Sequence, residues 1–176
     1  PNSPTDTKLK SVEIGKARVI NETDSKIIFL NFGALLDQAI EVSKILGLTL
    51  IDMRFVKPLD EEMLKKYLKN AQGYVSLEDG SVYGGAGSAV QEFCSNNQIN
   101  IKSKLFGIPD RFIEHASREE MLEDSGLLAK QILDSLSSVI KTNLKETYFK
   151  VENPLAKIIF DLVLTFYKPI KDVHII

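Results

Sequence analysis

The sequence predicts an α/β fold: a mainly parallel sheet covered by helices on both faces, with one antiparallel strand at an edge. Three observations carry this. Apolar runs of strand length alternate with segments of helical period along most of the chain, the pattern of βα units. A hydrophobic run ending at Ser76-Leu77 delivers the chain into Glu78-Asp79-Gly80, after which a glycine loop, Gly84-Gly85-Ala86-Gly87-Ser88, opens a helix. Two β-rich runs near the start, 17–20 and 26–32, are separated only by the polar cluster Asn21-Glu22-Thr23-Asp24-Ser25 and read as an antiparallel hairpin. A parallel sheet sets its strand C-termini and helix N-termini on one edge, where α/β proteins bind ligands or partners.

The elements follow in order. Gly33 breaks the second run, and from Ala34 the period changes from two to 3.6. Leu35, Leu36, Ala39, Ile40, Val42, Ile45 and Leu46 share one side of a helix that Gly47 stops. Residues 48–53 read as a buried strand. Lys57-Pro58 marks a boundary, because the residue before proline is pushed out of the helical region. A helix rich in good helix formers follows at about 61–68, then a strand over 73–77, a helix over 86–93 and a strand over 99–106. Gly107-Ile108-Pro109-Asp110 is a loop. Ser117 caps a short acidic helix with Glu120 as its capping-box partner, and a last helix is expected over 127–140.

Length and composition narrow the classes. A chain of 176 residues, 44% apolar and 26% charged, suits one well-buried soluble domain. Its net charge of −2 comes from interspersed acids and bases, so nothing points to nucleic acid or another polyanion. The single Cys94 has no partner for an internal disulfide and no Cys or His ligand neighbours. On an apolar helix face it reads as a core residue in a reducing compartment. The polar start, PNSPTDTKLK, lacks the apolar core of a signal peptide, and the missing initiator Met points to a piece of something longer. Residues 158–166 are apolar but too short to cross a membrane.

Four segments together carry a family resemblance: IGKARVI at 14–20, DMRFVKPLD at 52–60, the LEDG and GGAGSAV stretches at 77–80 and 84–90, and IPDRFIEHASREEM at 108–121. Over roughly residues 11–136 the chain resembles the C-terminal domain of the 1-deoxy-D-xylulose-5-phosphate synthases, thiamine-diphosphate enzymes of the transketolase superfamily. The resemblance implies a three-layer α/β/α sandwich around a five-stranded mixed sheet. It divides the chain into a linker from missing upstream domains (1–10), a transketolase-like C-terminal domain (11–142) and an atypical aromatic-rich extension (143–176), in which Asn153-Pro154 can start a helix over 155–166. It further implies a homodimeric parent, cytoplasmic in a bacterium or plastid-borne in a eukaryote. That parent condenses pyruvate with glyceraldehyde 3-phosphate, with loss of CO2, for isoprenoid and thiamine synthesis. Thiamine diphosphate and magnesium belong to the absent domains, so the fragment is expected to bind neither and to be inactive alone. The alternatives are the C-terminal domain of a transketolase or of a 2-oxoacid dehydrogenase β subunit, and a free-standing interaction module.

No catalytic, cofactor or metal residue is assigned; the candidate residues are read as interface or loop positions. Gly84, Gly85, Gly87 and Ser88 form a helix-start loop that could attract an anion. It matches neither the P-loop nor the dinucleotide fingerprint, since Val90 stands where the third glycine should be. Close packing of Gly85 and Gly87 against other backbone is the favoured reading, with positive φ or near backbone contact expected at Gly85. Glu78 and Asp79 could be paired carboxylates, but neighbours at a strand end point to opposite sides. A turn acid accepting backbone N–H groups fits better. Asp110, Arg111 and His115 read as an ordered loop rather than a phosphate or proton-transfer site. Arg54 with Asp52 or Asp60 reads as an ion pair shaping the turn after a strand.

Overall fold

The structure, a computed structural model, describes residues 11–137. The polar lead 1–10, the end of the last helix beyond 137 and the aromatic-rich stretch 143–176 lie outside the described residues. In chain order the elements are β1 (Arg18–Asn21), β2 (Ile27–Phe32), α1 (Leu36–Leu46), β3 (Thr49–Asp52), α2 (Glu61–Leu68), β4 (Gly73–Ser81), α3 (Ala86–Asn96), β5 (Lys102–Ile108) and α4 (Arg118–Asp124). Helical backbone resumes over 129–137. β1 to α4 all lie in the first of the chain's two units, which ends at Leu133.

The strands form one five-stranded sheet in the order β1-β3-β2-β4-β5. β2 lies at its centre with β3 and β4 parallel on either side. β5 extends the parallel set, and β1 closes the other edge antiparallel to β3, with Arg18 opposite Asp52. The antiparallel edge strand is therefore present, but the expected hairpin is not: β1 and β2 are not neighbours. β2 is buried along nearly its whole length and both its edges are taken by parallel partners. The polar cluster between the two runs instead crosses the start of β3. There Thr23 N–H donates to Thr49 Oγ1 (3.0 Å) and Thr23 Oγ1 donates to the Gly47 carbonyl (2.9 Å).

Period-two alternation splits the core into two layers. Ile28, Leu30, Phe32, Ile51, Met53 and Tyr74 face α2 and α3, packing with Leu64, Leu68, Val90, Phe93 and Cys94. Phe29, Leu50, Val75 and Leu77 alternate onto the other face, where α1 lies against β2 and β3 and buries Ala39 and Val42. Helices on both faces of a mainly parallel sheet make the expected three-layer sandwich. Ile45 departs from its expected place: it sits in the last turn of α1, 57% exposed and off the buried stripe. Cys94 is buried, and that burial pushes its thiol pKa up. Burial likewise raises the Tyr74 phenol to about 12, with the Ser103 hydroxyl pulling the other way.

Local signals set several boundaries. Asp60 caps α2, its Oδ1 accepting from Met63 N–H at 3.1 Å. Ser117 and Glu120 complete a reciprocal capping box on α4. β5 starts later than expected because Ile99 N–H closes the end of α3 on the Cys94 carbonyl at 2.9 Å. β4 runs longer than expected, through Glu78 to Ser81, with a register shift after Leu77.

Candidate interface at the carboxyl edge of the sheet

The order of the strands fixes where a site would form. From β2 the chain crosses over α1 to β3 on one side; from β4 it crosses over α3 to β5 on the other. The connections diverge at the C-terminal ends of β2 and β4, the switch point where open α/β sheets form their crevice. Gly33 leaves β2 there, and Glu78, Asp79 and the glycine loop follow β4.

Glu78 and Asp79 part ways. Glu78 points to the α3 side and is 5% exposed. Its two carboxylate oxygens accept from Ala86 N–H (2.8 Å) and Gly87 N–H (2.9 Å), the first amides of α3. A helix start leaves such donors without intrahelical partners and carries partial positive charge. The chain therefore supplies its own anion from eight residues upstream. Glu78 is thus a buried strand residue rather than a turn or loop residue, because β4 continues past it and α3 needs its carboxylate. Asp79 is exposed and turns to the opposite side, where a Cβ at Gly33 would lie 2.5 Å from Asp79 Oδ1.

The glycines of the loop divide by role. Gly85, the N-cap of α3, has φ −85 and ψ −162, an ordinary extended conformation, so the expected positive φ is not there. Its constraint is space: a Cβ would run into the Ser81 carbonyl oxygen and the Glu78 carboxylate. Gly87 is equally confined, with a Cβ falling 2.5 Å from Ser76 Oγ and 3.0 Å from Leu105 Cδ2. Positive φ belongs to Gly84 (φ 71), where nothing lies within 4 Å of an added Cβ. Gly84 N–H donates to Ser88 Oγ at 3.1 Å, closing the loop.

Neighbouring loops are braced as well. The guanidinium of Arg111 holds both the carboxylate (2.8 Å) and the main-chain carbonyl (2.7 Å) of Asp124 at the end of α4. This contact raises the Arg111 pKa and lowers that of Asp124. Arg111 is therefore not drawn toward His115, which is exposed, as is Asp110. On the β1 side, Asp52 accepts from Arg18 Nε at 2.9 Å, with Arg54 Nε farther off at 3.9 Å. Arg54 takes φ 59, the left-handed conformation that turns the chain out of β3. Asp60, besides capping α2, accepts from Ala17 N–H at 2.9 Å. Arg18 is the partner that the sequence did not reveal, because antiparallel β1–β3 pairing brings it to Asp52 across 34 residues.

The helix start at the glycine loop is filled by Glu78. Among the described residues, no group of three or more His, Cys, Asp or Glu is placed to hold a metal ion. No helix among the described residues is long and apolar enough to cross a membrane.

A five-stranded mixed sheet in this order, with its antiparallel strand at one edge and helices on both faces, defines a three-layer α/β domain. Residues 15–132 match the family described as transketolase, C-terminal domain, and the chain belongs to that family. It is 42% identical over 127 residues to the 1-deoxy-D-xylulose-5-phosphate synthase of Xanthomonas oryzae pv. oryzae, covering 72% of this chain and 20% of the relative. It is also 42% identical over 135 residues to the enzyme of that name from Blochmanniella floridana, covering 77% of this chain and 22% of the relative. The chain thus spans about a fifth of the length of these relatives. Among solved structures it is similar to a chain described as split gene transketolase, inactive beta4 tetramer. That match has a TM-score of 0.65 at 28% identity and covers 72% of this chain and 43% of that one.

Proposed function

We propose that this chain is the C-terminal domain of a 1-deoxy-D-xylulose-5-phosphate synthase, a non-catalytic domain that holds subunits or domains in contact. The whole enzyme would condense pyruvate with glyceraldehyde 3-phosphate, releasing CO2, in isoprenoid precursor synthesis. Thiamine diphosphate and magnesium would be held by its other domains, in a cytoplasmic homodimer. The observation that carries the structural role is the Glu78 carboxylate on the α3 amides. A loop that would otherwise be the domain's phosphate cradle is already occupied by the buried carboxyl group of Glu78. The identity of 42% with named synthases, against 28% with the split-gene transketolase, favours the synthase over a transketolase.

A turnover assay tests this. The pure 176-residue chain should show no thiamine-dependent consumption of pyruvate with glyceraldehyde 3-phosphate. It should restore turnover when fused in place of the matched C-terminal domain of the Xanthomonas oryzae synthase. Turnover by the chain alone, or an inactive fusion beside an active parent enzyme, would sink the proposal.

A further inference from the structure

Among the described residues, six large apolar side chains are exposed: Val12, Ile14, Ile45, Val56, Tyr83 and Phe112. The topology sorts them. Ile45 lies in the last turn of α1, at the edge where the strands begin. The other five lie on the opposite edge. Because β1 is antiparallel and Arg18 stands opposite Asp52, Val12 and Ile14 emerge where β3 ends. Val56 follows β3, Tyr83 follows β4 and Phe112 follows β5. Taken in strand order they cross the whole sheet, about 19 Å for five strands spaced about 4.8 Å apart.

This edge is braced. Val82 N–H donates to the Ile108 carbonyl at 2.9 Å, tying the loop of Tyr83 to the end of β5. Arg111, next to Phe112, is held on Asp124. Gly15 packs so closely on Pro58 that a Cβ would fall 2.8 Å from its Cγ. Yet Tyr83 is 73% and Phe112 82% exposed. Aromatic side chains on braced loops, lined up along one edge, are what a protein interface uses as anchors.

The occupant follows from chain length and chain path. The family is a C-terminal domain and this chain spans about a fifth of its relatives, so in such an enzyme most of the polypeptide lies N-terminal to it. Residues 11–17, through which such a preceding domain would be joined, run along this same edge. Resting on the function proposed above, we infer that the carboxyl edge docks the preceding domain of the same polypeptide, with Tyr83 and Phe112 seated in apolar pockets of that domain.

The Xanthomonas oryzae fusion tests this with a second readout, trypsin cleavage at the junction between the domains. Tyr83→Ala with Phe112→Ala should release the domain and speed junction cleavage at least tenfold, while Ile45→Ala on the far edge leaves it within twofold. All three side chains are exposed, so the melting temperature of the isolated 176-residue chain should not change with either variant. A fusion that turns over normally, with both variants cleaved at the unmutated rate, overturns the docking inference and leaves the proposed function standing. A fusion that never turns over beside an active parent removes the function, and the inference falls with it.

Discussion

Two helices that start on the same edge are capped in opposite ways. α4 is capped by its own first turn: Ser117 accepts from Glu120 N–H, and the Glu120 carboxylate reaches back to Ser117 N–H at 2.9 Å. α3 has no capping side chain in its own first turn; a carboxylate from the preceding strand does the work, buried under the helix it caps. The local cap is exposed, can fray and reform by itself, and stabilises one short helix. The imported cap ties β4 to α3 and fills the space that the glycines leave open. The cap of α4 is a helix-end device, whereas the cap of α3 is part of the tertiary structure.

The difference can be tested hardest at Gly85. Valine there must displace the Ser81 carbonyl and the Glu78 carboxylate, so Gly85→Val should cost about 3 kcal/mol or more. Gly84→Ala, strained in φ but meeting nothing, should cost about 1 kcal/mol. Heat denaturation of the two variants should separate them clearly; equal losses would mean that the loop is governed by conformation and not by space.

Removing each cap sharpens the contrast. Glu78→Ala leaves two amides without their acceptor in a buried place, at about 2–3 kcal/mol on global unfolding. Ser117→Ala should cost about 1 kcal/mol. Hydrogen exchange should show the Ser117 loss confined to α4 and the Glu78 loss spread over β4, α3 and β5. A Glu78→Ala effect confined to the first turn of α3 would make the two caps equivalent.

The smallest effect is one of pH. Hydrogen bonds from Ser117 hold the Glu120 pKa below its ordinary 4.5, and the Arg111 contact holds that of Asp124 below 3.8. A carboxylate with a depressed pKa contributes stability that is complete above its ordinary value and lost as pH falls through the folded one. α4 should therefore stay ordered at neutral pH and loosen only below those ordinary values. Carboxyl resonances followed by NMR should titrate below 4.5 for Glu120 and below 3.8 for Asp124; midpoints at or above them would break the assignment.

Legibility in the sequence followed the same division. What is encoded within a few residues could be read: the bounds of α2, the Ser117–Glu120 box, the stop of α1 at Gly47, the alternation that makes a parallel sheet. What depends on distant pairing could not. The runs 17–20 and 26–32 looked like hairpin partners because they are close in sequence, while β3, which separates β1 from β2, arrives only after α1. The acceptor role of Glu78 was foreseen as a type of contact, but its donors were not, since only the return of α3 over β4 brings Ala86 and Gly87 to it. Ile45 fits the helical period and is exposed all the same, because periodicity counts faces and not how far the sheet beneath extends.

The outer strands carry one further consequence. β5 presents Lys102, Ser103 and Lys104 as exposed residues, and β1 is four residues long with a slipped register between Val19 and Asn21. Charge on one rim and a short, irregular strand on the other both oppose the addition of a sixth strand from another molecule. Growth of the sheet sideways, the route by which exposed β structure polymerises into fibres, is disfavoured at both edges. Such edges favour association through loops and helices over extension of one sheet into another.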